Sequence, residues 1–447
     1  MKAGSGICCP TLCTVDTTGL LTDHYELTMV QAALKSGTAD RPSVFELFAR
    51  RLPDGRRYGV VAGTGRILDA VSSFRFDDAQ LGWLRDAGVV DDTTLGWLGD
   101  YRFSGSISGY AEGDAYFPGS PVLVVEGSFA ECVVLETLLL SILNHDSAVA
   151  TAASRMTRAA EGRPCIEMGS RRTHEWAGVA AARAAYVAGF DATSNLQAGL
   201  EYGVPTRGTA AHAFTLLHDS ERDAFWAQVE SLGRGTTLLI DTYDITEAVR
   251  TAVDIAGPEL GAVRIDSGDL SVLAKQVRRQ LDELGATSTR IIVTSDLDEF
   301  AIAGLSGAPV DGYGVGTSLV TGSGFPTCGF VYKLVARAAS TAPGAPFVPV
   351  EKRSTYKMST GGRKWAVRRC DPRGTAVAEV LGVGGMPPHD DNDRPLLVPL
   401  VRDGEVVGRE DLAAARERHQ RAMAELPVEA GKLSRGEPVI DTEYARS

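Results

Sequence analysis

The residues with chemistry to offer fall at the ends of short apolar segments. His212 closes Thr206-Arg207-Gly208-Thr209-Ala210-Ala211-His212, a run of mostly small residues entered from Pro205. The pattern predicts a strand that opens into a loop at the histidine. An imidazole at a strand end can move a proton or carry a phosphoryl group. Taken alone, such a histidine is more often a hydrogen-bonded structural residue, so its neighbours must decide.

Those neighbours are polar and varied. Aligning the other apolar segments by their ends collects Arg171 and Arg172, Asp191 with Ser194 and Asn195, Asp241, Arg264 with Asp266 and Ser267, Ser295 and Asp296, and Gly316 with Thr317 and Ser318. Arginines beside carboxylates, hydroxyls and glycine turns suit a phosphate-bearing substrate taken with a divalent metal such as Mg²⁺. The segment GYGVGTSLVTGSG, beginning at Gly312, has the composition of a loop whose backbone N–H groups receive a phosphate. A tight strand-to-helix turn is the alternative.

Arg264 interrupts the apolar run Val263-Arg264-Ile265. A buried arginine requires a partner, which is either a ligand or Asp266 two residues on. Asp244 and Asp269 fit helix N-caps, whereas Asp241 and Asp266 are placed to hold Mg²⁺ or ribose hydroxyls.

The elements that would position these groups change character along the chain. Residues 19–33 predict a loop entering an amphipathic helix, with Thr22 or Asp23 as N-cap, Glu26 in its first turn, and Tyr25 as an aromatic to watch. Val44 to Leu52 predicts a strand, followed by the turn Pro53-Asp54-Gly55 and a second strand over Tyr58 to Ala62. A strand pair is expected from Ile107 to Glu112 and from Pro121 to Glu126.

From Cys132 the pattern becomes helices alternating with short strands that start at Cys165, Ala188, Thr206, Leu238, Val263, Arg290 and Gly312. This predicts an irregular or incomplete parallel α/β barrel, preferred over a doubly wound sheet because polar residues recur at nearly every strand end. After Leu334 strand pairs return, with hairpins expected over Lys352 to Arg369 and over Leu396 to Gly408, then a charged helix from about Glu410 to Leu426. The basic cluster Lys352, Arg353, Lys357, Arg363, Lys364, Arg368 and Arg369 reads as a solvated hairpin. The expected organisation is an α+β domain over 1–131, the barrel over 132–335, and a C-terminal part over 336–447 that packs back on the first.

Composition narrows the class. A chain of 447 residues with net charge −12, 44% hydrophobic and 23% charged residues, has the character of a globular protein. The acidic balance argues against nucleic acid or anionic membrane as a general partner, so an anionic substrate needs a local basic pocket. The seven cysteines do not form a disulfide pattern. Cys8, Cys9 and Cys13 lack paired metal-ligand spacing and read as a reduced tail. Residues 1–13 lack the apolar stretch of a signal peptide, and the apolar run Cys132 to Leu143 is too short to span a bilayer and contains Glu136. A cytoplasmic protein is expected.

The ordered set TDHYELTM, EMGSRR, GFDATSN, GTAAHAF, LLIDTYD, VRIDSGDL, GVGTSLVT and VYKLV resembles nicotinate phosphoribosyltransferase of the actinobacterial type, through about residues 20 to 335. The resemblance implies a type II phosphoribosyltransferase, with an irregular α/β barrel beside an α+β domain made from both chain ends, and a homodimer with sites at the subunit interface. It implies the joining of nicotinate to 5-phosphoribosyl 1-pyrophosphate for NAD synthesis, with Mg²⁺ present and ATP as co-substrate hydrolysed through a phosphohistidine.

By resemblance His212 is the phosphorylated histidine, Thr209 a nicotinate contact, and Tyr25 the aromatic that packs on the pyridine ring from the neighbouring subunit. Arg264 binds ligand and Thr317 meets the phosphoribosyl phosphate. Arg171 and Gly268 follow. The strand-end pattern adds Asp266 as a catalytic carboxylate, with Ser267 and Gly316 as binding residues beside it, and Arg264 is expected to be catalytic as well as ligand-binding. The nearest alternatives are a nicotinamide- or quinolinate-type phosphoribosyltransferase, or a metal-dependent barrel lyase built on Asp266 and Asp241.

Overall fold

The computed structural model describes residues 17–352 and 360–445. The Cys8, Cys9 and Cys13 cluster, with Arg353 and Lys357, lies outside the described residues.

The functional end of the molecule is a six-stranded parallel sheet. Its strands are β1 (Cys165–Glu167), β2 (Ala192–Thr193), β3 (Thr237–Leu239), β4 (Ala262–Ile265), β5 (Arg290–Ser295) and β6 (Gly312–Val315), in spatial order β2-β1-β6-β5-β4-β3. These runs are apolar because helices cover the sheet: Val263, Ile265, Ile291, Val293, Tyr313 and Val315 are fully buried. Register is fixed by pairs such as Arg264 with Ile292 and Ile292 with Gly312. The sheet is mixed with helices into an incomplete parallel α/β barrel, as the segment pattern predicts.

The seventh expected strand does not form. Thr206 makes a single parallel bridge to Thr193, with Thr193 N donating to Pro205 O and Arg207 N to Thr193 O, both at 2.9 Å. The cause is its neighbour. β2 is only two residues long because Asn195 caps the next helix, Leu196–Tyr202, and leaves the Thr206 segment nothing further to pair with. His212 therefore opens the short helix His212–Leu217 instead of ending a strand.

A seven-stranded antiparallel sheet is assembled from both ends of the chain. Pro42–Ala49 lies between Phe330–Ala338 and Leu123–Ser128, and Ser106–Tyr110 carries Leu397–Arg402 on its far side. The expected pairing of the segments near 107 and 123 holds. So does the hairpin at Asp403-Gly404, where both residues take positive φ, 49° and 82°. The charged helix forms over Leu412–Glu425, and the first helix over His24–Ser36 with Asp23 as its cap. The segment after Pro53 contributes only Gly59–Val60, which pairs with Ala115–Tyr116.

Two expectations fail in the C-terminal part. Lys364–Cys370 pairs with Ala376–Val383 across the turn at Asp371–Gly374, where Asp371 N donates to Thr375 O at 2.8 Å, so the hairpin is not centred on Gly361-Gly362. The basic cluster is not all solvated either. Arg368 is completely buried against Glu379, and Lys364 is buried against Glu46 at 2.6 Å.

The two sheets share one helix. Glu136–Ala159 sends Leu138, Leu139 and Leu143 into the core beneath the antiparallel sheet, and Val149, Ala152, Ala153 and Met156 into the core beneath the parallel one. Because the apolar stretch continues into this helix, Phe129–Ala159 is long and apolar enough to cross a membrane by length and composition. The short-run argument therefore does not apply, and what characterises the segment is that 67% of its most apolar window is buried inside the protein.

Candidate active site

The C-terminal ends of β1, β5 and β6 and the start of the loop after β4 enclose a polar cavity of about 230 Å³. Its walls include Arg171 and Arg172 after β1, Asp266 after β4, Thr294, Ser295 and Asp296 at the end of β5, and Gly316 and Thr317 after β6. Ser295 has φ 148°, an unusual backbone for a residue with a side chain, and it sits on this wall. Asp266 is held by Thr294, whose hydroxyl donates to Oδ1.

Asp241, two residues past β3, ties the histidine to this cavity. Its side chain is 2% exposed. One oxygen meets His212 Nε2 at 3.1 Å, while the other accepts Asp266 N at 2.9 Å and Ser267 Oγ at 2.7 Å. The bond to His212 crosses the opening of the sheet, while the other two join the ends of the adjacent strands β3 and β4. β3 and the Thr206 segment are the sheet's two free edges, and side chains join what the backbone leaves apart.

Arg264 makes a second bridge across the same opening, donating from Nη1 to Thr209 Oγ1 at 2.5 Å. Its Nε is buried with no hydrogen-bond partner, and no ion pair joins it to Asp266 among the described residues. Burial pushes the guanidinium below its ordinary range, Asp266 and Asp241 oppose that, and Arg171 adds to it. The cavity wall itself carries Arg171 and Arg172, as an anionic ligand requires, while Arg264 stands outside that wall at the opening of the sheet.

Gly268 turns the chain between Ser267 and the helix Leu270–Glu283. Its φ is +85°, a left-handed backbone that favours glycine, and a Cβ there would approach Leu273 Cδ1 to 2.8 Å and displace that side chain. Asp269 and Asp244 cap helices as expected.

Not every candidate gathers here. Asp191 lies at the beginning of β2, where it accepts Cys165 N at 3.1 Å and pairs with Arg416 at 3.2 Å, so it is structural. Asn195 is a helix cap. Tyr25, 44% exposed on the first helix, neither lines the cavity nor bonds to its residues. Burial, then Glu136, raise its phenol above the ordinary range.

Sequence reasoning missed Thr294 and Glu167. Thr294 directly precedes the recognised Ser295 and could have been found. Glu167 is fully buried at the end of β1, where it accepts from Gly169 N and Thr193 Oγ1 and fixes the turn that carries Arg171.

Comparison with known proteins bears on the family and the fold. The nicotinate phosphoribosyltransferase (NAPRTase) N-terminal domain family matches residues 20–144. The chain is 60% identical over 436 residues to nicotinate phosphoribosyltransferase pncB1 of Mycobacterium tuberculosis, covering 96% of this chain and 95% of that one. It is 37% identical over 331 residues to nicotinate phosphoribosyltransferase of Bacillus subtilis, covering 72% and 67%. The crystal structure of human nicotinic acid phosphoribosyltransferase superposes with a TM-score of 0.81 at 26% identity, covering 95% of this chain and 98% of that one. With the match to pncB1 running nearly end to end in both proteins, the chain belongs to the nicotinate phosphoribosyltransferase family.

Proposed function

We propose that the enzyme joins nicotinate to 5-phosphoribosyl 1-pyrophosphate at this rim, forming nicotinate mononucleotide and pyrophosphate, and that ATP hydrolysis is coupled to the reaction through His212. The observation that carries the reading is the connection of a phosphate-sized polar cavity to an imidazole held by a buried carboxylate, Asp241.

In this reading the bond from the ribose carbon to pyrophosphate breaks, and the pyridine nitrogen supplies the electron pair of the new bond. Positive charge develops on the ribose in between, and Asp266 is placed to offset it. Arg171 and the backbone around Gly316 and Thr317 receive the phosphate groups. Arg264, positioned by Thr209, meets the nicotinate carboxylate, with Ser267 and Gly268 shaping the adjoining wall.

Among the described residues there is no cluster of three or more His, Cys, Asp or Glu side chains that could hold a metal. The cavity instead offers Asp266 and Asp296, a donor set suited to Mg²⁺ that keeps waters and binds mainly through substrate phosphates. When bound, Mg²⁺ neutralises charge on the departing pyrophosphate.

His212 accepts the terminal phosphoryl group of ATP on a ring nitrogen, releasing ADP, and water later takes the group as inorganic phosphate. Asp241 offsets charge on the ring while this occurs. The exposure of Tyr25, away from its own chain's cavity, supports a homodimer in which it reaches the partner's site. A cytoplasmic location, where the phosphoribosyl donor and ATP are both supplied, is part of the same reading.

The coupling is tested with His212→Ala. Loss of ATP stimulation with slow ATP-independent synthesis retained supports the role, and unchanged stimulation refutes it.

A further inference from the structure

The phosphate loop is anchored from behind by a buried charge cluster that lies outside the cavity lining. Glu299, in the first turn of the helix Glu299–Gly304, is 1% exposed. Its Oε1 accepts Arg56 Nη1 at 2.7 Å and Arg155 Nε at 2.9 Å, and its Oε2 accepts Ser323 Oγ at 2.7 Å. Arg56 also donates from Nη2 to Gly322 O at 2.9 Å and lies 5.6 Å from the centre of the Phe325 ring. Arg56 and Arg155 are each 4% exposed. Burial pushes the Glu299 carboxyl up, but Arg56 and Ser323 outweigh it and hold the group below its ordinary range, so it is ionised.

The connection to the cavity is short on both sides. Ser323 N donates to Ser318 O at 2.6 Å, and Ser318 follows Thr317 on the cavity wall. Glu299 itself stands three residues after Asp296, on the opposite wall. Ser323 has φ 52°, a strained left-handed backbone that a serine keeps only where its surroundings fix it. Gly322, at φ 61°, has no room for a Cβ, which would meet Phe325 O at 2.2 Å. The loop is thus held in a strained shape, and among the described residues the side-chain bond that holds Ser323 there goes to Glu299.

We propose that Glu299 is a positioning residue for the phosphoribosyl donor, setting the shape of the Gly316–Gly324 loop through its bond to Ser323. The proposal rests on the reading that this loop receives the phosphoribosyl phosphate. Neither Glu299 nor Ser323 touches substrate in this account. Their effect is on donor affinity, and nicotinate binding across the cavity does not depend on them.

Glu299→Gln would leave two buried guanidinium groups without a counter-charge, so the test is made at Ser323 in the full-length enzyme. Ser323→Ala removes the bond, Ser323→Gly removes it while easing the left-handed backbone, and Thr317→Ala serves as the control for the loop itself. Steady-state KM for each substrate, kcat and Tm are measured for all three. Loss of one hydrogen bond to a carboxylate predicts a donor KM raised about three- to ten-fold in both Ser323 variants, with nicotinate KM within about two-fold of the parent.

A parent-like donor KM in Ser323→Gly, or an equal rise in both KM values, overturns the role of Glu299 while Thr317→Ala still raises donor KM. An unaltered donor KM in Thr317→Ala overturns the phosphate-loop reading, and the proposal with it.

Discussion

Asp241 and His212 share a hydrogen bond of 3.1 Å that closes the open side of the parallel sheet. The carboxylate is 2% exposed and the imidazole 40%, so the anchor is buried and the ring faces solvent. Because the second Asp241 oxygen holds Asp266 N and Ser267 Oγ, the histidine and the cavity wall are set by one group. Asp241→Asn keeps the size and removes the charge. A lost charge-assisted bond is worth about 1.5–3 kcal/mol, which predicts a roughly ten- to hundred-fold fall in the ATP-stimulated rate. Slow synthesis without ATP is retained. An equal fall with and without ATP would show that Asp241 serves the cavity only.

Arg264→Lys tests the bridge to Thr209. Lysine keeps one charge but not the planar fork that donates to Thr209 Oγ1 and, in the proposed reading, also to the nicotinate carboxylate. Nicotinate KM should rise roughly ten-fold or more, from the loss of a charged hydrogen bond. Thr209→Val should reproduce part of that rise. Donor KM moving instead would reassign Arg264 to the phosphates.

The sequence made the rim legible because its strands are short, apolar and ended by polar residues, a local pattern. β4 shows it plainly, with Asp266 and Ser267 directly following Val263-Arg264-Ile265. The collapse of the Thr206 strand was not legible, since it follows from Asn195 capping a helix on the neighbouring segment. Nor was the burial of Arg368, because its partner Glu379 faces it only through a pairing register set by the overlooked turn Asp371–Gly374. The Glu299 cluster draws Arg56 from 243 residues away and Arg155 from 144, and no local pattern announces such a meeting.

His419 gives a stability prediction with a definite sign. Burial, then Arg416 and Arg158, push its pKa from 6.5 down to about 3. Its Nε2 rests 2.9 Å from Ser154 Oγ, and its Nδ1 is buried without a partner. Between about pH 6.5 and 3 the unfolded chain binds a proton that the folded chain refuses, so stability falls as pH falls through that window. The slope approaches about 1.4 kcal/mol per pH unit. In thermal melts from pH 7 to 4, His419→Gln should lose less Tm than the parent. An identical pH profile would contradict the buried neutral state.

The Arg368 and Glu379 pair is a structural prediction. Both side chains are completely buried. Glu379→Gln should cost about 3 kcal/mol in denaturant unfolding, the lower end of the penalty for breaking a buried pair, because Glu425 remains 3.8 Å from Arg368 Nη1. Replacing both residues with Met and Leu should cost markedly less than the single change. A single change as mild as the double would place the pair in contact with solvent.

The central claim is chemical, and the most direct measurement is turnover. Labelled nicotinate, with nicotinamide in parallel, is incubated with the full-length enzyme, 5-phosphoribosyl 1-pyrophosphate and Mg²⁺, with and without ATP. The account predicts mononucleotide from nicotinate alone, formed faster when ATP is present. Product from nicotinamide, or none from either base, would contradict it.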